Sequence, residues 1–193
     1  MSQFEFFMVI ASILVAIAIT EVVTWWGKLL RNKRVREVGI VNLAWSALLV
    51  SNIVLHWSGF WAYNDLTIVT YPQIWMLLLP TLIAILVAFA ITPDPAELAH
   101  GCAEYYAENR RLIFLCWGLF ILAAIAADVV ILGSVAFEGL LYAAILFAAL
   151  VTCALSEKTW VHYTALIVVA TLVVLIPVAL GFGETLDFII GGA

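Results

Sequence analysis

The sequence predicts an all-α, polytopic membrane protein: a bundle of six transmembrane helices with both termini on the non-cytoplasmic side. Three observations carry this prediction: a chain too apolar for water, six stretches of spanning length, and positive charge confined to alternate loops. Of 193 residues, 66% are hydrophobic and 11% charged, with a mean hydropathy of +1.17. A soluble domain is nearer half apolar and about a quarter charged. A water-soluble globule of this length would lack the polar surface needed to cover its core, so the bilayer is the solvent that fits.

A spanning helix needs roughly 20 mostly apolar residues. Residues 6–26, 40–62, 71–91, 112–132, 138–155 and 163–182 qualify, the fifth being the shortest. They form a single domain over 1–193, because no loop is long enough for another. The first stretch is not read as a secretory signal. No Lys or Arg precedes it, and no small-residue cleavage site follows a short apolar run.

Orientation follows from the basic residues. Lys28, Arg31, Lys33, Arg34, Arg36, Arg110, Arg111 and Lys158 are all 8 of the Lys and Arg side chains. With six spans they fall in the loops after the first, third and fifth helices. That is the positive-inside pattern, which puts these loops in the cytoplasm of a cell (inner) membrane protein. The net charge of −5 therefore says little as a sum. It argues against nucleic acid as a partner, because no basic stripe lies on a soluble face. The lipid bilayer is the one partner the composition requires.

The first helix carries Ser12, Ala16, Thr20 and Thr24 at four-residue spacing, with Gly27 continuing the face. Small residues so spaced let two backbones approach closely in lipid, where packing drives association. Two uses are open: packing within the bundle, or an interface between subunits of a homo-oligomer or larger complex. Glu21 lies inside this span near its cytoplasmic edge. A basic residue of the following loop, or Arg110, would neutralise it by snorkelling; a proton- or cation-handling carboxylate is the alternative.

The second helix is the most polar. Asn42, Ser46, Asn52 and His56 share one sector of the helix wheel. This stripe either lines a hydrated path or joins helices by hydrogen bonds. In the third and sixth helices, Pro80 and Pro177 each remove an amide donor and should kink or loosen the helix.

The loop 92–111 is the longest. Asp94, Pro95 and Glu97 read as a helix start, and Glu97, Glu104, Glu108 and Arg111 recur at helical spacing. A short cytoplasmic helical extension should therefore run into the fourth span, with a solvated or partner-binding face. The fourth helix adds Ala123 and Ala127 to the small-residue faces. The fifth adds Ala144, Ala148, Thr152 and Ser156.

Asp128 in the fourth helix and His56 in the second match in depth, near the outer end. A shared polar pocket with Asn52 and Glu138 would relieve the burial of both, as a structural hydrogen bond or as a titratable site. Trp25, Trp26, Trp117 and Trp160 read as one aromatic belt at the membrane interface, and Trp57, Trp61, Tyr63, Tyr71 and Trp75 as the other.

Cofactor chemistry has no motif here. Cys102, Cys116 and Cys153 form no CxxC pair and read as small hydrophobes. His100 and His162 lack the spacing of a haem or metal pair. HExxH, GxSxG, Walker A, GxGxxG, CxxCH and TVGYG are all missing. Neither a catalytic residue nor a metal or cofactor is expected. Three function classes remain. A small transporter or channel subunit draws on the polar stripe, the prolines and the intramembrane Glu21, His56 and Asp128. A non-catalytic accessory or scaffold subunit draws on the small size, short loops and small-residue faces. An intramembrane enzyme acting on lipid or quinone draws only on the carboxylates and histidines.

Overall fold

The computed structural model describes residues 3–31, 40–64, 70–93, 102–133, 135 and 137–177. Six α-helices follow one another, with no strand among the described residues: α1 Gln3–Arg31, α2 Ile40–Gly59, α3 Tyr71–Ile91, α4 Cys102–Leu132, α5 Phe137–Leu155 and α6 Thr159–Ala170. The first five are long and apolar enough to cross a membrane. The apolar helix beginning at Thr159 is shorter over its described length. The distal part of the sixth expected span lies beyond residue 177, outside the described residues, as do Lys33, Arg34, Arg36, Asp65, His100 and the helix start at Asp94.

The outer surface explains the composition. Leu119 is 54% exposed and Ile167 67%, and Leu86, Phe89, Leu112 and Leu155 are exposed beside them. So continuous an apolar surface is a liability in water and the normal exterior of a helix in lipid. This is a membrane-embedded helical bundle.

α2 packs along α1, α3, α4 and α6, and much less along α5. Around it, α1 runs beside α3, α3 beside α4, α4 beside α5 and α5 beside α6. The placement follows from chemistry. α2 carries Asn42, Ser46, Asn52, His56 and Ser58, whose exposure to hydrocarbon is costly, so the other helices shield it. The core is aromatic where α2 meets α4: Trp45 meets Phe114 at 4.9 Å and Trp117 at 5.8 Å, both edge to face. Where α4 meets α5, Gly118 leaves the space that Phe147 occupies. A Cβ at 118 would lie 3.1 Å from the Phe147 ring.

Helix ends carry their own signals. α3 starts with a capping box: Thr70 and Gln73 bond reciprocally, and Pro72 lies in the first turn. Pro80 sits buried within an unbroken α3. Pro177 has a clear effect. Its missing amide cannot bond four residues back, and the preceding turn, Thr171–Leu175, widens to a π-helix, with the Ile176 amide bonding to the Thr171 carbonyl. α4 is continuous for 31 residues, so the extension expected before the fourth span is one helix with it.

Candidate functional site: a polar chamber between α2, α4 and α5

Where α2 and α5 stand apart, a partly open chamber of about 120 Å³ remains. Its origin is legible in side-chain volume. Gly59 of α2, Ala124 and Ala127 of α4, and Gly139 and Ala143 of α5 all line it. Five positions without bulk leave a space the larger side chains do not fill. Phe60 and Phe120 form apolar walls, while Asn52, His56, Tyr63, Asp128 and Tyr142 supply the polar groups.

Tyr63 and Asp128 meet here. The Tyr63 hydroxyl donates to Asp128 Oδ1 across the α2–α4 interface. A short 3₁₀ turn, Phe60–Tyr63, extends α2 and brings the phenol over the end of α4. An ionised carboxylate inside a membrane costs about 2.5–3.5 kcal/mol on insertion scales, so one charge-assisted donor is a substantial compensation.

His56 and Asp128 line the same chamber but bond to different groups. His56 Nε2 lies 3.4 Å from Thr81 Oγ1 of α3, and the ring packs edge-on against Phe60 at 4.8 Å and Phe120 at 5.1 Å. Asn52 Oδ1 accepts from Trp117 Nε1 at 2.9 Å. Glu138 is exposed and is not part of the chamber wall. Tyr142 is buried, and its hydroxyl has no hydrogen-bond partner among the described residues. A buried hydroxyl left unpaired costs about 1–3 kcal/mol.

The rest of the α2 stripe joins helices. Trp26 Nε1 donates to Ser46 Oγ at 2.9 Å, and the Ser46 hydroxyl donates in turn to the Leu43 carbonyl at 2.8 Å. Immediately after His56, Trp57 Nε1 donates to Ser12 Oγ at 3.0 Å. Asn42 is buried, with neither amide atom partnered among the described residues. Thus α2 is bonded to α1 by Ser46 and Trp57, to α4 by Asn52 and to α3 by His56, while Asn52 and His56 also face the chamber. Asn42 and Ser46 do not line it.

Trp117 corrects the interface reading: it is fully buried. A Trp near a span's end sits at headgroup depth only if its face is lipid-facing. The Trp117 face instead meets α2, where Asn52 offers the indole an acceptor. Tyr63 and Trp25 are buried too, while Trp61, Tyr71, Trp75 and Trp160 are exposed. On α1, Ala16, Thr20 and Thr24 are exposed and Ser12 is half-buried; on α5, Ala144, Ala148 and Thr152 are exposed. Both small-residue faces point away from the bundle. α5 instead turns Gly139, Ala143, Leu146, Leu150 and Cys153 inward. Ala123 and Ala127 of α4 are buried.

At the other end of the bundle, Glu21 is half-buried, with the Thr92 hydroxyl 3.2 Å from its Oε1. Arg110 pairs with Glu157 at 2.5 Å instead. His162 is buried and doubly bonded. Its Nε2 lies 2.9 Å from the Ser156 carbonyl, which only accepts, so Nε2 carries the proton and Nδ1 receives the Tyr106 hydroxyl at 2.8 Å. This clamp ties the first turns of α4 to the α5–α6 connection. Among the described residues, no three His, Cys, Asp or Glu side chains gather as a metal site requires. No family model, curated protein or solved structure matches the chain.

Tyr63, Tyr106 and Tyr142 are the participants that sequence reasoning did not place. Tyr63 was absorbed into the aromatic belt. The available signal for the chamber was the coincidence of Ala124 and Ala127 with Gly139 and Ala143 on sequential helices joined by a short turn.

Proposed function

We propose that the chain is an integral membrane protein of small transporter or channel-subunit type, with the chamber between α2, α4 and α5 as its solute site. One observation carries the reading: an ionisable Asp128 borders an unfilled space inside the bundle, together with His56, Asn52 and an unpartnered Tyr142 hydroxyl. Intramembrane ionisable residues beside a cavity are the usual mark of an ion or solute pathway. A purely structural pair would be packed over. The chamber lies toward the end of the bundle opposite Arg110 and Lys158. By the positive-inside pattern that end is the outer one, the membrane is the cell (inner) membrane, and the spans number six.

The second reading is a non-catalytic accessory or scaffold subunit, favoured by the outward small-residue faces of α1 and α5. These same faces suit a homo-oligomer of the transporter.

The test is electrical. Proteoliposomes of the purified chain on a solid-supported membrane would be challenged with small amines, amino acids, sugars and inorganic ions. A solute-dependent current is expected, and Asp128→Asn should abolish it while the protein remains folded. No solute-dependent current from either protein across the whole panel would remove the transport reading and leave the scaffold; equal currents from both would remove the chamber as the solute site.

A further inference from the structure

The chamber has a chemical preference that the residues around it define. Among the described residues its one acidic group is Asp128, and its lining contains no Lys or Arg. The described cationic side chains, Lys28, Arg31, Arg110, Arg111 and Lys158, all lie in the loops or helix ends after the first, third and fifth spans, and Arg110 is already paired with Glu157. The carboxylate therefore has a hydrogen-bond donor in Tyr63 but no countercharge among the described residues of the chamber.

A second, independent feature is Tyr142. It is 9% exposed, lines the same chamber, and its buried hydroxyl has no partner among the described residues. The remaining walls are aromatic or aliphatic, with Phe60 and Phe120 foremost. A carboxylate, a free hydroxyl and aromatic faces around about 120 Å³ form a set of complementary groups. They suit a ligand with a positive head that donates hydrogen bonds and a short apolar body. A desolvated carboxylate pairs strongly with a cation that donates hydrogen bonds, and the Phe60 and Phe120 side chains cover an apolar body.

We propose that the chamber binds a small protonated alkylamine. The ammonium donates to the Asp128 carboxylate and to the Tyr142 hydroxyl, and the alkyl part lies against Phe60 and Phe120. An anion would meet the Asp128 carboxylate with no cation to receive it. A quaternary ammonium would leave Tyr142 unsatisfied. This assignment of a ligand class rests on the reading of the chamber as a solute site, but binding can be measured without transport.

The probe is n-butylammonium chloride, with n-butanol as its neutral counterpart and tetramethylammonium as a cation without N–H donors. Each is titrated into the detergent-purified full chain at constant pH and ionic strength, and the unfolding temperature is recorded. A ligand that binds the folded state raises it saturably. Butylammonium should give a saturable rise, with butanol and tetramethylammonium at least about tenfold weaker. Asp128→Asn should weaken butylammonium by about tenfold or more, and Tyr142→Phe by about threefold or more. Tyr142→Phe removes only an unpartnered hydroxyl, so it keeps the test open if Asp128→Asn fails to fold. Equal affinity for butanol, a response unchanged in both variants, or no saturable response overturns the amine site. Saturable butylammonium binding with no solute current in proteoliposomes would support the amine site and remove transport. A current carried by other solutes with no butylammonium binding would do the reverse.

Discussion

Replacing Trp117 by alanine is expected to destabilise the bundle by about 3–5 kcal/mol. The indole is fully buried between α2 and α4, its ring is edge-on to Trp45 at 5.8 Å, and its Nε1 donates to Asn52 at 2.9 Å. Removing it opens a cavity that neither helix can close, because Trp45 and Phe114 are packed on each other from the same side. The loss in a bilayer is of packing and of the hydrogen bond rather than of transfer from water. Trp117→Phe separates the two. It keeps most of the ring and leaves Asn52 Oδ1 without its donor, and about 1–2 kcal/mol is expected for that, in line with interhelical hydrogen bonds. Reversible unfolding by SDS in mixed micelles gives both numbers. If Trp117→Ala unfolds with the parent protein, the indole is not a core residue.

The second large effect is at Tyr63. Tyr63→Phe removes the donor to Asp128 and leaves the carboxylate in the chamber wall without it. A buried group stripped of its partner suffers its whole desolvation penalty, whereas removing both partners spares it. Tyr63→Phe is therefore expected to lower stability by about 2–3 kcal/mol. The double variant Tyr63→Phe with Asp128→Leu should recover most of that loss, and a double-mutant cycle in the same SDS titration reads the coupling. Additive losses in the double variant would mean that the two side chains do not depend on each other.

Some parts of this molecule were legible in its sequence and others were not, for physical reasons. The long apolar helices were legible because a bilayer demands long uninterrupted apolar runs: 71–91 coincides with α3 to the residue, α2 and α5 agree within a few residues at each end, and α1 runs over Gln3–Arg31 where 6–26 was expected. Asn52, His56 and Asp128 line one space but bond to different partners, and the sequence offers only their depth along the helices as a guide to such a grouping. Glu138, at a similar depth, faces outward, because depth fixes height in the membrane and not rotation about the helix axis. Rotation is what a lipid environment conceals. In water, polar residues mark the outside of a helix; in hydrocarbon, Leu, Ala and Thr serve on either face. Hence the stripe Ala144–Ala148–Thr152 stands out in the sequence, yet Gly139 and Ala143, turned roughly half a circle away, line the chamber. The same ambiguity sent Trp117 to the interface. An indole near the end of a span suits headgroups and suits a buried amide acceptor equally well, and Asn52 lies 65 positions away in sequence. The polar stripe of α2 was visible as a stripe. Its division, with Ser46 bonded to Trp26 and with Asn52 and His56 facing the chamber, depended on neighbours that periodicity does not name.

The placement of the chamber in the outer half rests on which side of the membrane the basic end occupies. With Cys102, Cys116 and Cys153 replaced by alanine, single cysteines at Asn64 and Glu157, both exposed, report the two ends of the bundle. In intact cells, Asn64→Cys is expected to react with a membrane-impermeant maleimide, and Glu157→Cys only after permeabilisation. Labelling of both from the same side would contradict the arrangement of the spans and, with it, the position of the chamber in the membrane.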